Sequence, residues 1–80
     1  MMALDRAQVR AARALIEWTQ PDLASAAGIA LATLKRFEVG LRTPIPNNMA
    51  AIRRALENAG VEFIPAKNGK GAGVRLRSDK

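Results

Sequence analysis

Cysteine, histidine and tyrosine are absent from this sequence of 80 residues. Without cysteine or histidine, the chain cannot form a disulfide and offers no thiolate or imidazole ligand to a metal ion. It also lacks the base of a Ser-His or Cys-His nucleophile, and no group of carboxylates is spaced to converge on one point. We therefore expect that the protein is not an enzyme and that it uses no cofactor.

Long apolar runs are missing as well. No segment approaches the ~20 consecutive apolar residues of a membrane-spanning helix, so no membrane association is expected. The N-terminal segment, MMALDRAQVRAARAL, has arginines spaced through it instead of a continuous apolar core, so it is not a secretory signal. Together with the missing cysteine, these absences favour a cytoplasmic protein.

Alanine supplies much of the apolar content. Apolar residues make up 49% of the chain, but 16 of them are alanine and only 4% of all residues are aromatic. Alanine has the highest helix propensity, so this composition suits short helices that pack closely. A chain of this length forms one domain that buries only about 60% of its unfolded surface, so a dimer would add stability.

Positive charge is in excess and is unevenly distributed. The chain has 13 Lys and Arg residues against seven Asp and Glu residues, which gives a formal net charge of +6. Residues 1–40 contain five basic and four acidic residues, whereas residues 41–80 contain eight and three. A basic surface favours nucleic acid or an anionic membrane as a partner. The alternative is a solvated basic face that only keeps a small domain soluble.

Residues 19–40, TQPDLASAAGIALATLKRFEVG, have the pattern of two short helices joined by a tight turn. Thr19 can cap the first helix by accepting the backbone N–H of Asp22. Gly28 ends that helix, because glycine adopts a left-handed conformation without a Cβ clash. The second helix is predicted over about residues 30–39. This is the arrangement of a helix-turn-helix, a motif whose second helix enters the DNA major groove.

Specific residues of this stretch also point to a known family. They are Trp18-Thr19-Gln20, Leu23-Ala24, Gly28-Ile29, Thr33-Leu34, Phe37-Glu38 and Gly40. With them the chain resembles the Cro/CI-type (XRE-family) helix-turn-helix proteins over about residues 13–60. The resemblance implies an all-α fold in the main, a lambda-repressor-like domain of four to five helices.

The segments on either side of the motif complete the predicted domain. Helix 1 is predicted over about residues 5–17, capped by Asp5, and helix 4 over residues 46–60. The residues expected to face the core from these two helices are Val9, Ala12, Leu15, Ile16, Met49, Ile52, Leu56 and Ala59. The apolar spacing then changes to that of strands, predicted over residues 61–64 and 74–77 and joined by a glycine-rich loop.

Two segments follow from this division. Residues 1–60 are expected to form the helix-turn-helix domain, and residues 61–80 a β-hairpin tail that packs on helix 4. The edge of such a hairpin is a surface on which a second copy of the chain can dock, because a two-stranded ribbon leaves backbone groups unpaired.

The resemblance also implies which residues contact DNA. In the family, phosphate is bound at the start of helix 2, and bases are read from the exposed face of the second helix of the motif. The residues at those positions are Gln20 for phosphate, Leu31, Ala32, Lys35 and Arg36 for the exposed face, and Arg42 in the loop that passes the DNA backbone. Leu31 and Ala32 can contact only a thymine methyl group, so directional readout depends mainly on Arg36, bidentate to guanine.

A pair between Arg13 and Glu38 is implied by the resemblance as well. Such a pair would tie helix 1 to the second helix of the motif and set the angle of that helix. The alternative is that Arg13 contacts a DNA phosphate.

The expected function is sequence-specific binding of double-stranded DNA by a small transcriptional regulator, most simply a repressor. A single motif reads only a few base pairs, so we expect a homodimer on a palindromic operator. The alternative is a protein-interaction module, such as an antitoxin or adaptor, that uses the same fold to bind a partner protein. Leu31 would then contact protein instead of thymine.

Overall fold

The computed structural model describes residues 4–78, which form four α-helices followed by two antiparallel β-strands. The elements are α1 (Arg6–Leu15), α2 (Gln20–Ala27), α3 (Leu31–Glu38), α4 (Pro46–Asn58), β1 (Val61–Ile64) and β2 (Gly73–Leu76). The prediction of a mainly α fold with a short C-terminal hairpin is confirmed, with no fifth helix in the described residues. Residues 1–3 and 79–80, the ends of the predicted segments 1–60 and 61–80, lie outside the described residues.

Side-chain caps start the first two helices at the predicted residues. Asp5 accepts a hydrogen bond from the backbone N–H of Gln8 at 2.9 Å, and the Gln8 side chain accepts one from the Asp5 N–H at 3.1 Å. Thr19 and Asp22 make the same reciprocal pair at 3.1 and 2.9 Å. Each pair satisfies two backbone donors that the first turn of a helix leaves free, so both starting points are determined locally.

The turn between α2 and α3 depends on Gly28. Its φ of 70° lies in the left-handed region, where a side chain would be strained. The N–H of Ile29 then donates to the carbonyl of Ala24 at 3.1 Å, which closes the end of α2. Ala30 precedes α3 without a capping hydrogen bond from its side chain. The position of α3 therefore depends on its contacts with other elements rather than on a cap.

One continuous core joins the helices and the hairpin. Its buried members are Val9, Ala12, Leu23, Ala24, Leu34, Phe37, Ile52, Ala55, Leu56, Val61 and Phe63. Of the other residues predicted to face the core from helices 1 and 4, Ile16, Met49 and Ala59 are half-buried. The prediction is wrong for Leu15, which was expected to face the core but is exposed. The inward face of α1 is centred on Val9 and Ala12, and Ile16 completes it one turn later.

The hairpin packs against two helices, not only against α4 as predicted. β1 and β2 pair in antiparallel register, with Val61 opposite Leu76. β1 lies against α4, whereas β2 lies against α1. There the buried Gln8 amide donates to the carbonyl of Gly73 at 3.1 Å. β2 also begins and ends one residue earlier than predicted, and α4 ends at Asn58, before the predicted residue 60.

An exposed ion pair links the two strands. Arg75 lies opposite Glu62 and donates two hydrogen bonds to its carboxylate, at 3.2 and 3.1 Å. These hydrogen bonds, and then the opposite charges, lower the pKa of Glu62 and raise the pKa of Arg75. Both side chains face solvent, so the pair lies on the outer face of the hairpin.

The loop between the strands contains a tight turn that the sequence analysis treated only as glycine-rich loop. Lys67 and Lys70 exchange two backbone hydrogen bonds, of 2.9 and 3.0 Å, across Asn68 and Gly69. Both central residues have a positive φ, 55° and 76°, which is the type I′ geometry that Asn-Gly favours. The Asn-Gly dipeptide is therefore the sequence signal for this turn.

Candidate nucleic-acid interface

Most of the residues expected to face DNA lie on α3 and the segment after it. The exposed ones are Ala32, Lys35, Arg36 and Arg42. Leu31 differs from the expectation, because it is half-buried and packs against the core. It is the first residue of α3 and adjoins a turn that packs inward, so part of its side chain is removed from any partner. The prediction that Leu31 lies on the exposed face of α3 is therefore only partly correct.

A buried ion pair holds α3 against α1. Arg13 binds the Glu38 carboxylate from Nε to Oε2 at 2.8 Å and from Nη2 to Oε1 at 2.6 Å. The Glu38 side chain is only 2% exposed and that of Arg13 is 18% exposed. Arg13 also donates to the carbonyl of Trp18 at 3.1 Å, at the corner between α1 and α2. The pair that the resemblance implied is present, and its bidentate geometry restricts the angle between α1 and α3.

Two further side chains bind Glu38. The Gln20 amide donates to Oε1 at 3.1 Å, and Arg10 donates to the backbone carbonyl at 2.5 Å. Gln20 was expected to contact a phosphate through this amide, but the amide is turned toward α3, since a buried carboxylate oxygen needs donors. The sequence analysis missed the contact of Arg10. Its spacing of three residues before Arg13 is the signal that places both on one side of α1.

Arg6 contacts the chain just beyond α3, at Gly40. A Cβ on Gly40 would lie 2.8 Å from Nη1 of Arg6, and the φ of Gly40 is +85°. Arg6, Arg10 and Arg13 therefore all reach from α1 to the C-terminal end of α3, where the helix dipole favours positive charge. These three arginines hold the C-terminal end of α3, whereas the start of the helix has no side-chain cap.

We expect Gly40→Ala to lower the free energy of unfolding by about 1–2 kcal/mol, because a side chain in the left-handed region is strained. The guanidinium of Arg6 ends a flexible side chain and can move aside, so backbone strain is the main cost. Gly71→Ala is the control, since nothing lies within 4 Å of a Cβ there and its φ lies outside that region. Urea denaturation measures both variants, and equal stability of the two would contradict this role of Gly40.

The exposed face of α3 is positive because the only carboxylate of this helix, Glu38, is buried. Among the described residues, the side chains of Lys35, Arg36 and Arg42 make no hydrogen bond or ion pair within the chain. We call these three residues the α3 cationic surface. Because no internal carboxylate neutralises it, its charge is available to an anionic partner.

Neither a protein-family model nor a curated protein matches this sequence. Over residues 4–78, each helix is too short or too polar to cross a membrane. In the same part of the chain, no group of three or more His, Cys, Asp or Glu side chains is placed to hold a metal ion. The function is therefore inferred from the geometry of the side chains.

Proposed function

We propose that this chain is a lambda-repressor-like helix-turn-helix domain of the Cro/CI type that binds double-stranded DNA sequence-specifically, with α3 in the major groove. The observation that carries the proposal is the α3 cationic surface. Its three cations, two on α3 and one in the segment after it, have no side-chain partner among residues 4–78, and α3 has no exposed carboxylate. The Arg13–Glu38 pair supports it, because a helix that reads base edges must be held at one angle.

Each residue of the exposed face has a role that its chemistry sets. Arg36 presents two parallel N–H donors, which suit the O6 and N7 acceptors of guanine. Lys35 binds a phosphate or a guanine as a point charge. Ala32 contacts a thymine methyl group, and Arg42 binds the phosphate backbone. Base readout of this kind depends mainly on a single arginine.

A homodimer completes the proposal. Two copies related by a two-fold axis place their α3 helices about 34 Å apart, in successive major grooves of a palindromic operator. The outer edge of the hairpin makes this contact, since each edge of a two-stranded sheet offers unpaired backbone groups, and Leu76 in β2 is 41% exposed. Such a dimer acts in the cytoplasm as a repressor that occupies the operator and blocks polymerase.

A second function, binding of a partner protein, is favoured by one surface. Val39, Leu41 and Ile45 lie in the segment that follows α3 and are 62%, 77% and 64% exposed. Exposed large apolar side chains grouped in one segment are typical of protein-interaction sites. An antitoxin or adaptor would use this surface, and an antitoxin can combine it with DNA binding.

The salt dependence of DNA binding separates these two functions. If Lys35 and Arg42 each neutralise one phosphate while Arg36 binds guanine, the logarithm of the affinity falls with the logarithm of salt concentration with a slope of about −2 per chain. Fluorescence anisotropy with labelled duplexes measures this slope. A chain that binds no duplex at low salt would leave only the protein-interaction function.

Arg36→Ala is expected to weaken binding to the preferred duplex by about 1–3 kcal/mol and to relax the preference at one base pair, because a bidentate guanine contact is lost. Selection from random duplexes first identifies the preferred site. Arg54→Ala is the matched control, since it removes an exposed arginine of α4 whose side chain has no partner within residues 4–78. An equal loss on every duplex sequence would place Arg36 on the DNA backbone instead.

A further inference from the structure

A cavity of about 230 Å³ lies between α3 and the start of α4. Its polar lining consists of Thr33, Arg36, Arg42, Thr43 and Asn48, and Pro44 and Ile45 complete the wall. Two of these residues, Arg36 and Arg42, belong to the α3 cationic surface. The cavity therefore opens beside the face that is proposed to read bases.

Every polar side chain in this lining can donate a hydrogen bond, and none is a carboxylate. The guanidinium groups of Arg36 and Arg42 have no partner in the described part of the chain, and two like charges around one cavity repel each other unless an anion lies between them. Thr33 and Asn48 are half-buried, so part of the donor set is already removed from bulk water. This lining favours an anionic ligand.

Prolines restrict the segment that carries Arg42 and Thr43. Pro44 is buried, and Pro46 begins α4 two residues later. Each proline ring locks its own φ, so the backbone leading into α4 has little freedom. Restriction of this kind lowers the entropic cost of ordering the two side chains around a ligand.

A free phosphate or a phosphate monoester fits the number of donors better than a carboxylate does. It has three terminal oxygens, and one guanidinium can bind two of them in parallel while the second arginine and the hydroxyl groups bind the third. A carboxylate has only two oxygens, so one arginine would remain without a full partner. A phosphodiester of the DNA backbone also has only two non-bridging oxygens, which Arg42 and the hydroxyl groups can bind while Arg36 contacts a base. The volume of about 230 Å³ also leaves room for the group to which a phosphate is esterified.

We propose that this cavity binds one phosphoryl group, supplied by the DNA backbone or by a free phosphate compound. Occupancy by DNA rests on the proposed function, whereas binding of free phosphate does not. Because both ligands use Arg42, a free phosphate compound competes with DNA, and its concentration regulates release of the duplex.

Titration of the chain with inorganic phosphate, followed by NMR at constant ionic strength with chloride as the balancing anion, tests the free ligand. The backbone amides of Thr33, Thr43 and Asn48 are expected to shift in a saturable way. Arg42→Ala should weaken the apparent affinity about tenfold or more, since it removes a charged hydrogen-bond donor. Arg54→Ala, which lies outside the cavity, should leave the affinity unchanged. Shifts that do not saturate, or equal losses in the two variants, would overturn binding of free phosphate.

Duplexes that carry one neutral methylphosphonate at a time test the DNA backbone. At the phosphate that enters the cavity, the substitution should weaken binding of the wild-type chain about tenfold and that of the Arg42→Ala chain hardly at all, because both changes remove the same contact. At other phosphates both chains should lose affinity alike. Inorganic phosphate should also displace the intact duplex more effectively than chloride at equal ionic strength.

The cavity and the proposed function fail in different ways. If the chain binds no duplex but shows saturable phosphate shifts, the result supports the phosphate site in the cavity and rejects the DNA-binding function. The opposite result is duplex binding with neither saturable phosphate shifts nor a phosphate whose contribution depends on Arg42. It would support the DNA-binding function and reject the phosphate site in the cavity.

Discussion

Arg13→Ala is expected to lower the free energy of unfolding by about 3–5 kcal/mol, because it leaves the buried Glu38 carboxylate without its charge partner. That carboxylate is 2% exposed, and the one remaining side-chain donor, the Gln20 amide, is neutral. A chain of this length has a total stability of about 4–12 kcal/mol, so the loss is a large part of it. Urea denaturation followed by circular dichroism measures the change.

A double-mutant cycle shows whether the two residues act as a pair. Arg13→Ala combined with Glu38→Ala should cost less than the sum of the single changes, since the second removes the charge that the first left unpaired. Arg75→Ala is the matched control: it breaks an equally bidentate pair that faces solvent, so its cost should be far smaller. Strict additivity would reject the coupling. Weaker DNA binding by Arg13→Ala at unchanged stability would support the phosphate contact instead.

Phe63→Ala is expected to lower the free energy of unfolding by about 3–5 kcal/mol, because a buried aromatic ring of β1 is lost from the core shared with the helices. The Arg53 guanidinium of α4 lies 5.2 Å from the centre of this ring, and that contact is lost too. The helical signal in circular dichroism should therefore shift to lower urea concentration as one cooperative transition.

Leu76→Ala, in the partner strand of the same hairpin, is the control for Phe63→Ala. Leu76 is 41% exposed and lies outside the buried core, so its removal should change the stability of the helices much less than removal of the Phe63 ring. If Phe63→Ala instead left the helical transition unchanged, residues 61–80 would be an independent unit beside residues 1–60. The structure leads us to expect the opposite, because Val61 and Phe63 belong to the core that Val9 and Leu56 form.

Local chemistry made part of this fold predictable. The caps at Asp5 and Thr19 involve partners three residues away, so the sequence alone contained both members of each pair. Gly28 could be assigned to a left-handed turn because few other residues tolerate that backbone conformation. The turn at Asn68-Gly69 is equally local. The Asn-Gly pair indicates it, but the sequence analysis considered only the glycines of the loop.

Contacts between distant segments were less predictable. The placement of β2 against α1 depends on a hydrogen bond between Gln8 and Gly73, which are 65 residues apart. The sequence analysis expected the amide of Gln20 to contact a phosphate, and only the folded chain shows that this amide donates to the Glu38 carboxylate. Leu31 is half-buried for a similar reason, because the angle of α3 decides which side of its first turn meets the core.

The sequence by itself determined the mainly helical fold, the starts of α1 and α2, the turn at Gly28 and the positive excess of charge, because these depend on single residues or on pairs within one turn. Only the tertiary structure decided which charges remain available. It buries Glu38 in a pair with Arg13 and leaves the side chains of Lys35, Arg36 and Arg42 without a partner in the described part of the chain. The reason is physical: an ion pair forms where packing brings two side chains together and excludes water, and separation along the chain does not define that distance.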